Sequence, residues 1–376
     1  MARLAIILVV VLALLAAACS DSGSSGDASE VADETAEETA SLEQVYAELE
    51  GLTGDERTAR LVELAVAEDA DITLYTSLAV DDSGPLIEAF DDTYGLGVDL
   101  YRASASTVAQ RIVQEADAGF AGADVVMVNG SEMTVLGSEG LFAPLASPVT
   151  ADLFPSVVYD NWAGVYINVF TSAWNTDLIE PGSAPQTWEE VLANYPGTLA
   201  MELGDYDWFA TLVEDYFIAE KGLTEDEAVA LFSEAAAGAL VVDGHTLMAE
   251  LLAGGAFDVV TSAYQHRIRR LSGDDAPVTW EPAVEPLIAR PNGIAVHAET
   301  DGPATALLFV EFALTDGQPM MIDFGRTPTS QTVEGGIPPT YDVITVDLIA
   351  LLEEREKWEN LYESVVTQSG QEVVGE

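Results

Sequence analysis

Four short clusters of hydroxyl, amide and aromatic side chains follow apolar runs in this sequence. They are Tyr75-Thr76-Ser77, Ser104-Ala105-Ser106, Asn129-Gly130-Ser131 and Thr261-Ser262-Ala263-Tyr264. In open α/β sheets, ligands bind beyond the carboxyl ends of strands, where helix N-termini present free N–H groups. Any single cluster is also typical of a helix cap or a turn, but four at successive strand ends indicate a shared site. They predict noncovalent binding of a small ligand.

Motifs for covalent or cofactor chemistry are missing from the sequence. It contains no GxSxG, HExxH, CxxC, glycine-rich phosphate loop with lysine, or EF-hand loop. His245 is predicted to begin a helix and His297 to lie on a surface strand. We therefore expect neither an enzyme nor a resident cofactor. An enzyme would need an acid–base pair converging in a cleft, and an adhesion or signalling protein would need an exposed apolar patch instead.

The N-terminus has the composition of an export signal. Arg3 precedes an apolar run over residues 4–18, which is shorter than a membrane span needs, and Cys19 follows it. The segment Leu15-Ala16-Ala17-Ala18-Cys19 resembles a bacterial lipobox, although Ala16 stands where leucine is usual. We predict a signal peptide over residues 1–18, lipidation of Cys19 and anchoring to the outer face of the cell membrane. An ordinary secretory signal with a chance cysteine is the alternative.

Charge limits the partners of the protein. Sixty-five acidic residues against thirteen basic ones give a formal net charge of −52. Nucleic acid and anionic membrane surfaces repel such a chain, so neither is expected as a partner. The acidity indicates either a surface suited to saline surroundings or a field that attracts a cationic ligand.

Strand-like and helix-like segments alternate through the first half of the chain. Strands are predicted at Ile72–Thr76, Val98–Tyr101 and Asp124–Val128, with a helix after each. This alternation predicts an α/β fold with a mostly parallel sheet covered on both faces. The apolar run from Tyr166 to Trp174 is a candidate for a strand that crosses between two lobes.

Short motifs in one order and spacing connect the chain to a known family. They are Glu56-Arg57 with Leu61, Ile72 to Ser77, Phe90 with Tyr94-Gly95, Val98, Arg111, Glu115, Ala123-Asp124-Val125, Gly140-Leu141, Pro144-Leu145, Trp174-Asn175-Thr176, Pro185 with Thr187-Trp188, and Gly317-Gln318 after Phe309 to Leu314. From Leu49 to Val366 the sequence resembles the ferric-iron-type branch of the extracellular solute-binding proteins, which have the type II periplasmic-binding-protein fold.

The resemblance implies two α/β lobes, each a mostly parallel sheet flanked by helices, joined by hinge strands. The lobes close on a ligand that is then passed to an ABC permease, and the protein is expected to act as a monomer. An acidic disordered tether over residues 19–44 precedes lobe 1 at 45–165 plus about 285–325. Lobe 2 is expected at 166–284, with a C-terminal segment at 326–376 that carries a terminal helix over about 347–365.

For the ligand, the resemblance favours ferric iron or a ferric complex. The metal-binding candidates are Tyr264, Tyr206 and His266. Iron-binding members supply two adjacent tyrosines, but here Gln265 follows Tyr264, and Ser77-Leu78 stands where some members carry a histidine. The full predicted ligand-binding set is Tyr75, Thr76, Ser77, Ser104, Ser106, Asn129, Trp174, Tyr206 and Tyr264.

Two other ligand classes fit the same fold. A thiamine or polyamine would bind through carboxylates and through cation–π contacts to aromatic faces, for which the candidates are Trp162, Trp174, Trp208 and Tyr264. A phosphonate, sulfate or other oxyanion would use the serines and Asn129, with Arg102 or Arg267 supplying positive charge.

Overall fold

A computed structural model describes residues 41–180, 182–193, 197–367 and 373–375. The predicted signal peptide, Cys19 and most of the predicted tether lie outside the described residues. Within the described part, one continuous sheet runs in the order β2-β1-β3-β9-β4-β7-β5-β6. The strands are β1 (Ile72–Thr76), β2 (Val98–Arg102), β3 (Val125–Asn129), β4 (Ala163–Asn175), β5 (Leu199–Glu202), β6 (Leu240–Val242), β7 (Val259–Tyr264), β8 (Val278–Thr279), β9 (Leu287–Val296), β10 (Thr327–Pro328) and β11 (Val343–Thr345).

The sheet divides into two parallel groups on either side of an antiparallel pair. Strands β1, β2 and β3 are parallel to one another, as are β5, β6 and β7. The long strands β4 and β9 pair antiparallel with each other and join the two groups. This is the predicted α/β fold of two lobes joined by crossing strands. We call the β1–β3 side the first lobe and the β5–β7 side the second lobe.

Helices cover both groups of strands. They are α1 (Leu42–Glu48), α2 (Gly54–Glu68), α3 (Val80–Tyr94), α4 (Ala105–Asp117), α5 (Gly130–Ser138), α6 (Trp188–Leu192), α7 (Tyr206–Thr211), α8 (Glu225–Ala236), α9 (His245–Ala253), α10 (Gln265–Gly273), α11 (Pro303–Leu314), α12 (Gly317–Asp323), α13 (Leu348–Glu353) and α14 (Arg355–Thr367); a π-helical turn, Leu212–Ile218, extends α7.

Local sequence explains where several elements begin and end. β1 has the predicted bounds, because a β-prone run ends there in a buried threonine. Ser104 caps α4 by accepting from the Thr107 backbone N–H, and Thr224 and Glu227 form a reciprocal capping box at α8. The predicted terminal helix is instead two helices, α13 and α14, separated at Glu354.

Apolar side chains fill the space between helices and sheet on both sides of the crossing strands. β4 is almost wholly buried and β9 is buried at every position, as expected for strands with neighbours on both edges and helices on their faces. Trp162, Trp188 and Trp208 lie among the largest fully buried side chains. None of the helices in the described part has the length and apolar composition to span a bilayer.

Candidate functional site

A cavity of about 790 Å³ lies at the carboxyl ends of the parallel strands of both lobes. The last residues of four strands line it: Arg102 of β2, Asn129 of β3, Glu202 of β5 and Tyr264 of β7. Arg290, from the middle of β9, also lines the wall. The cavity thus lies where open α/β sheets bind ligands, and residues of both lobes face it.

Five helices of nine residues or more begin at this cavity. Their N-cap residues, all on the cavity wall, are Ala79 of α3, Ser104 of α4, Asn129 of α5, Gly244 of α9 and Tyr264 of α10. The first backbone N–H groups of a helix have no intrahelical acceptor and carry a partial positive charge. Their convergence favours a ligand with negatively charged or hydrogen-bond-accepting groups.

Basic residues are concentrated in the cavity wall. Six of the thirteen lysines and arginines of the chain line it, compared with eight of the sixty-five acidic residues. In so acidic a protein, a random patch of surface would be dominated by carboxylates. The six are Arg102, Arg267, Arg270, Arg290, Arg326 and Arg355.

Two of these arginines share one buried carboxylate. Asp82, on α3, is 1% exposed; it accepts from Nε and Nη2 of Arg326 at 3.0 and 2.8 Å. Nη2 of Arg270, on α10, donates to the same carboxylate at 2.7 Å. Two guanidinium groups against one carboxylate leave this part of the wall with net positive charge.

A second buried ion pair in the cavity wall joins Arg290 to Asp207. Its Nη1 donates to Oδ2 of Asp207 and its Nη2 to the phenol oxygen of Tyr264, both at 2.5 Å. The hydroxyl of Ser131 donates to the same Asp207 oxygen, which links α5 of the first lobe to α7 of the second. Burial raises the pKa of Tyr264 well above its usual value, although Arg290 acts in the opposite direction, so the phenol is protonated at neutral pH.

A third cluster of ionisable side chains in the cavity wall contains Glu202, Asp205 and His245. Nε2 of His245 lies 3.0 Å from Oδ1 of Asp205, and the two oxygens of Glu202 accept from the backbone N–H groups of Gly204 and Gly244. Burial, followed by repulsion from Asp205, raises the pKa of Glu202 to about 7. Burial alone would lower the pKa of His245, but Asp205 and Glu202 hold it above its usual value. The Glu202 carboxyl and the His245 imidazole are therefore both shifted toward their protonated forms.

Glu132, on the first turn of α5, is another carboxylic acid in the wall. Burial raises its pKa to about 7, against the opposing attraction of Arg290, while Asp207 raises it further. Its Oε2 is buried and has no hydrogen-bond partner among the described residues. The residue itself belongs to the lining of the cavity.

Most of the predicted binding residues lie on the cavity wall. Seven do so: Ser77, Ser104, Ser106, Asn129, Tyr206, Tyr264 and His266. Tyr206 begins α7, and burial raises its pKa. His266 is buried at the start of α10; burial, followed by Arg326 and Arg270, lowers its pKa well below the usual value, so its imidazole is neutral.

Three predicted residues lie elsewhere. Tyr75 is 2% exposed, and its hydroxyl donates to Glu115 of α4. Thr76 is fully buried, and its hydroxyl donates to the carbonyl of Met127, a hydrogen bond that joins β1 to β3. Trp174 pairs with Val259, the first residue of β7, whereas the cavity lies at the last residue of that strand. The aromatic site predicted for an organic cation also lacks Trp162 and Trp208, which are buried away from the wall.

Residues that the sequence did not single out include the main charged groups of the site. Arg290 lies in a short polar interruption of the apolar strand β9, and Arg326 lies in the loop between α12 and β10. Asp82, Asp205 and Glu202 are hidden among 65 acidic residues. The sequence signal that could have found the arginines is the scarcity of basic residues, because each one is unusual in a chain this acidic. His245 begins a helix as predicted. His297, predicted at the surface, is 4% exposed because, just after β9, it bridges to Phe142 and donates its backbone N–H to the carbonyl of Asp124.

Comparison with known proteins identifies the family. The profile of the bacterial extracellular solute-binding proteins matches residues 83–319, more than half of the chain. The chain belongs to this family. No curated protein sequence matches it significantly. As a member of the family it binds a solute outside the cytoplasm for import by an ABC transporter, and it is not an enzyme.

Solved structures show the same fold at low sequence identity. AfuA from Actinobacillus pleuropneumoniae, with fructose-6-phosphate bound, superposes with a TM-score of 0.69 at 20% identity, covering 79% of this chain and 98% of its own. The Atu4243-GABA receptor has a TM-score of 0.67 at 18% identity over 81% and 99%. Iron-bound HitA from Pseudomonas aeruginosa has a TM-score of 0.65 at 18% identity over 79% and 99%. At these identities the likeness extends to the fold and not to the ligand.

Proposed function

We propose that this solute-binding protein is a lipid-anchored receptor for an anionic organic solute, one that carries a phosphate or carboxylate group. The observation that carries the proposal is the concentration of six arginines in the cavity of a chain with a net charge of −52. A small anion approaching the protein meets a repulsive outer surface, and only a site with strong local positive charge can hold it.

Unused hydrogen-bond donors support this assignment. Nε of Arg267 and Nε of Arg290 are buried and have no acceptor among the described residues. Arginine presents its donors in a planar arrangement that matches phosphate and carboxylate oxygens. An unsatisfied buried donor costs about 1–3 kcal/mol, and an oxyanion ligand would remove that cost.

Helix N-termini add to the attraction. The five helices that begin at the wall direct the free N–H groups of their first turns toward the cavity. Ser77, Ser104 and Ser106 supply hydroxyls beside them. Backbone N–H groups at a helix start bind phosphate and carboxylate without further basic residues. Fructose-6-phosphate and GABA, named with two of the structural neighbours, each carry an anionic group of this kind.

The anchor and the lobe limits belong to the same proposal. We propose that Cys19 carries the lipid and holds the protein as a monomer on the outer face of the cell membrane. The support is the apolar run over residues 4–18 followed by the lipobox-like Leu15 to Cys19. We also propose lobe limits at 45–165 plus about 285–325 and at 166–284, since β4 and β9 connect the two groups of strands near these positions.

Calorimetry on the purified full-length chain in mild detergent tests the ligand class. The panel contains fructose-6-phosphate, citrate, a phosphonate, GABA, spermidine, thiamine and ferric citrate. We expect saturable binding of at least one organic anion, weakening as sodium chloride is added, because salt screens the charge attraction. Binding of spermidine or thiamine alone would refute the proposal.

Ferric iron is the second candidate. It is favoured by the position of Tyr264, Tyr206 and His266 on one cavity wall. It ranks second because Arg290 donates to the Tyr264 oxygen, and a buried cation next to a phenolate would compete with Fe³⁺ for it. Iron bound to a phenolate gives a visible charge-transfer band; loss of such a band in Tyr264→Phe would favour iron over the anionic solute.

A further inference from the structure

We propose that Glu202, Asp205 and His245 form a binding site for a divalent transition-metal ion in the second lobe. Each of the three offers one ligand atom, and these atoms lie within 4.8 Å of one another. All three residues line the cavity, so an ion can reach them. The site is distinct from the predicted set of Tyr264, Tyr206 and His266, which it does not include.

The donor set matches the ions of the Zn²⁺ class. Zinc binds imidazole nitrogen and carboxylate oxygen at about 2.0–2.2 Å, usually with tetrahedral geometry. Ligand atoms around such an ion lie about 3.4 Å apart. Nε2 of His245 and Oδ1 of Asp205 are already 3.0 Å apart, so small side-chain shifts are enough for Glu202 to join them. Three protein ligands leave a fourth position open for water or for an oxygen of the solute.

Two buried polar atoms of the group lack partners. Asp205 is 1% exposed, and its Oδ2 has no hydrogen-bond partner in the described part of the chain. Nδ1 of His245 is buried and likewise without one. Buried polar atoms without partners are uncommon in folded proteins. A cation bound by the Asp205 carboxylate would remove the cost of leaving Oδ2 alone.

The local charge also favours a cation. Two carboxyl groups face one imidazole in this cluster. The neighbouring Arg290 is engaged in its own ion pair with Asp207. Buried carboxylates are usually paired with a cation or bound to a metal ion, and a divalent ion between these two would offset the charge of both.

The supporting contacts hold the three side chains in place before an ion arrives. Gly244 has a φ of 109°, which glycine adopts readily, and this directs its N–H to Glu202. The hydroxyl of Tyr362 donates to the backbone carbonyl of Glu202 at 2.6 Å. The ring of Tyr264 packs against that of His245, with 3.8 Å between centroids. Such outer contacts orient metal ligands and raise affinity.

Titration of the chelator-stripped, untagged full-length chain in detergent with ZnCl₂ tests the site, with no organic solute present. We expect one saturable equivalent of Zn²⁺, and loss of that equivalent in His245→Ala and in Asp205→Asn. Glu234→Gln, which removes an exposed carboxylate of α8 in the same lobe but outside the cavity, is the matched control and should bind as the parent does. Circular dichroism and thermal unfolding establish that each variant is folded.

Cobalt substitution provides a readout that does not depend on a variant folding. Co²⁺ bound to the parent protein should give ligand-field absorption in the visible range that Zn²⁺ abolishes by displacement. No Zn²⁺ binding by the parent, or binding that survives in both variants, would overturn the proposal. Binding of organic anions is measured separately in the presence of chelator, so failure of the metal site and failure of the anion site give different results.

Discussion

Nη2 of Arg270 lies 2.7 Å from Oδ1 of Asp82, and this ion pair joins α10 of the second lobe to α3 of the first across the cavity. Arg326, just after α12, binds the other oxygen of the same carboxylate. The contact is more than a surface pair, because Asp82 is 1% exposed. One buried carboxylate therefore links α3 of the first lobe to α10 of the second.

Replacing Asp82 with asparagine should destabilise the protein by about 3–5 kcal/mol, because Arg326 would keep a buried charge without its partner. Urea unfolding measures the change. Glu48→Gln, which breaks the exposed Arg60–Glu48 pair, is the control and should cost less than about 1 kcal/mol. Equal losses in the two variants would show that Asp82 has no special role.

The Arg290–Asp207 pair should behave as a unit. Arg290→Met alone leaves Asp207 charged and fully buried, so we expect a loss of about 3–5 kcal/mol. Adding Asp207→Leu removes that charge, and the double variant should be less destabilised than the sum of the two single variants. A denaturant-based double-mutant cycle measures the coupling; strictly additive losses would contradict it.

Glu132 should make stability depend on pH. Its pKa rises from an ordinary 4.5 to about 7 in the fold, so the folded state holds a proton that the unfolded chain releases between these values. Below pH 4.5 both states are protonated and Glu132 contributes nothing; as pH rises through this window the parent loses stability. Glu132→Gln should therefore match the parent at about pH 4 and exceed it at about pH 8 by up to about 3 kcal/mol.

Urea unfolding of both proteins across about pH 4–8 measures this difference. Glu139→Gln, an exposed position just after the same helix, serves as control and should show no such crossover. A difference between Glu132→Gln and the parent that is the same at every pH would contradict the assigned burial effect.

Cys19 should determine membrane attachment. In cells that process bacterial lipoproteins, the parent is expected in the membrane fraction and in the detergent phase after phase separation. Cys19→Ser should move the protein to the soluble extracytoplasmic fraction, because the chain has no other cysteine to carry a lipid. Ser20→Ala should remain at the membrane, and a Cys19→Ser protein that stays there would rule out the lipid anchor.

Sequence alone predicted the fold well because its signals are local. The strand from Ile72 to Thr76 and its neighbours alternate with helices, and this pattern determines a parallel sheet. The same reasoning placed Ser77, Asn129 and Tyr264 at strand ends, and these side chains do reach one cavity.

Local sequence patterns could not predict the direction in which side chains point or the pairing of residues that are far apart in the sequence. Tyr75 and Thr76 are adjacent to the site in sequence, but β1 directs them into the packing around Glu115 and Met127. Arg290 enters the cavity from the middle of a crossing strand, which no strand-end rule anticipates. Its partner Asp207 is 83 residues away in sequence.

The most direct test of the anionic-ligand proposal compares two arginines on the same helix. Arg267 lines the cavity and pairs with the half-exposed Glu250, whereas Arg269 is exposed and donates to the carbonyl of Gly325. Arg267→Gln and Arg269→Gln remove the same charge two residues apart. Calorimetry with the organic anion that the parent binds best measures both variants.

We predict that Arg267→Gln weakens anion binding by about 10- to 100-fold, the value of a charge-assisted hydrogen bond of about 1.5–3 kcal/mol. Arg269→Gln should bind within about twofold of the parent, because an exposed charge outside the cavity is screened by salt. Equal affinity in both variants and the parent would contradict an arginine-based anion site.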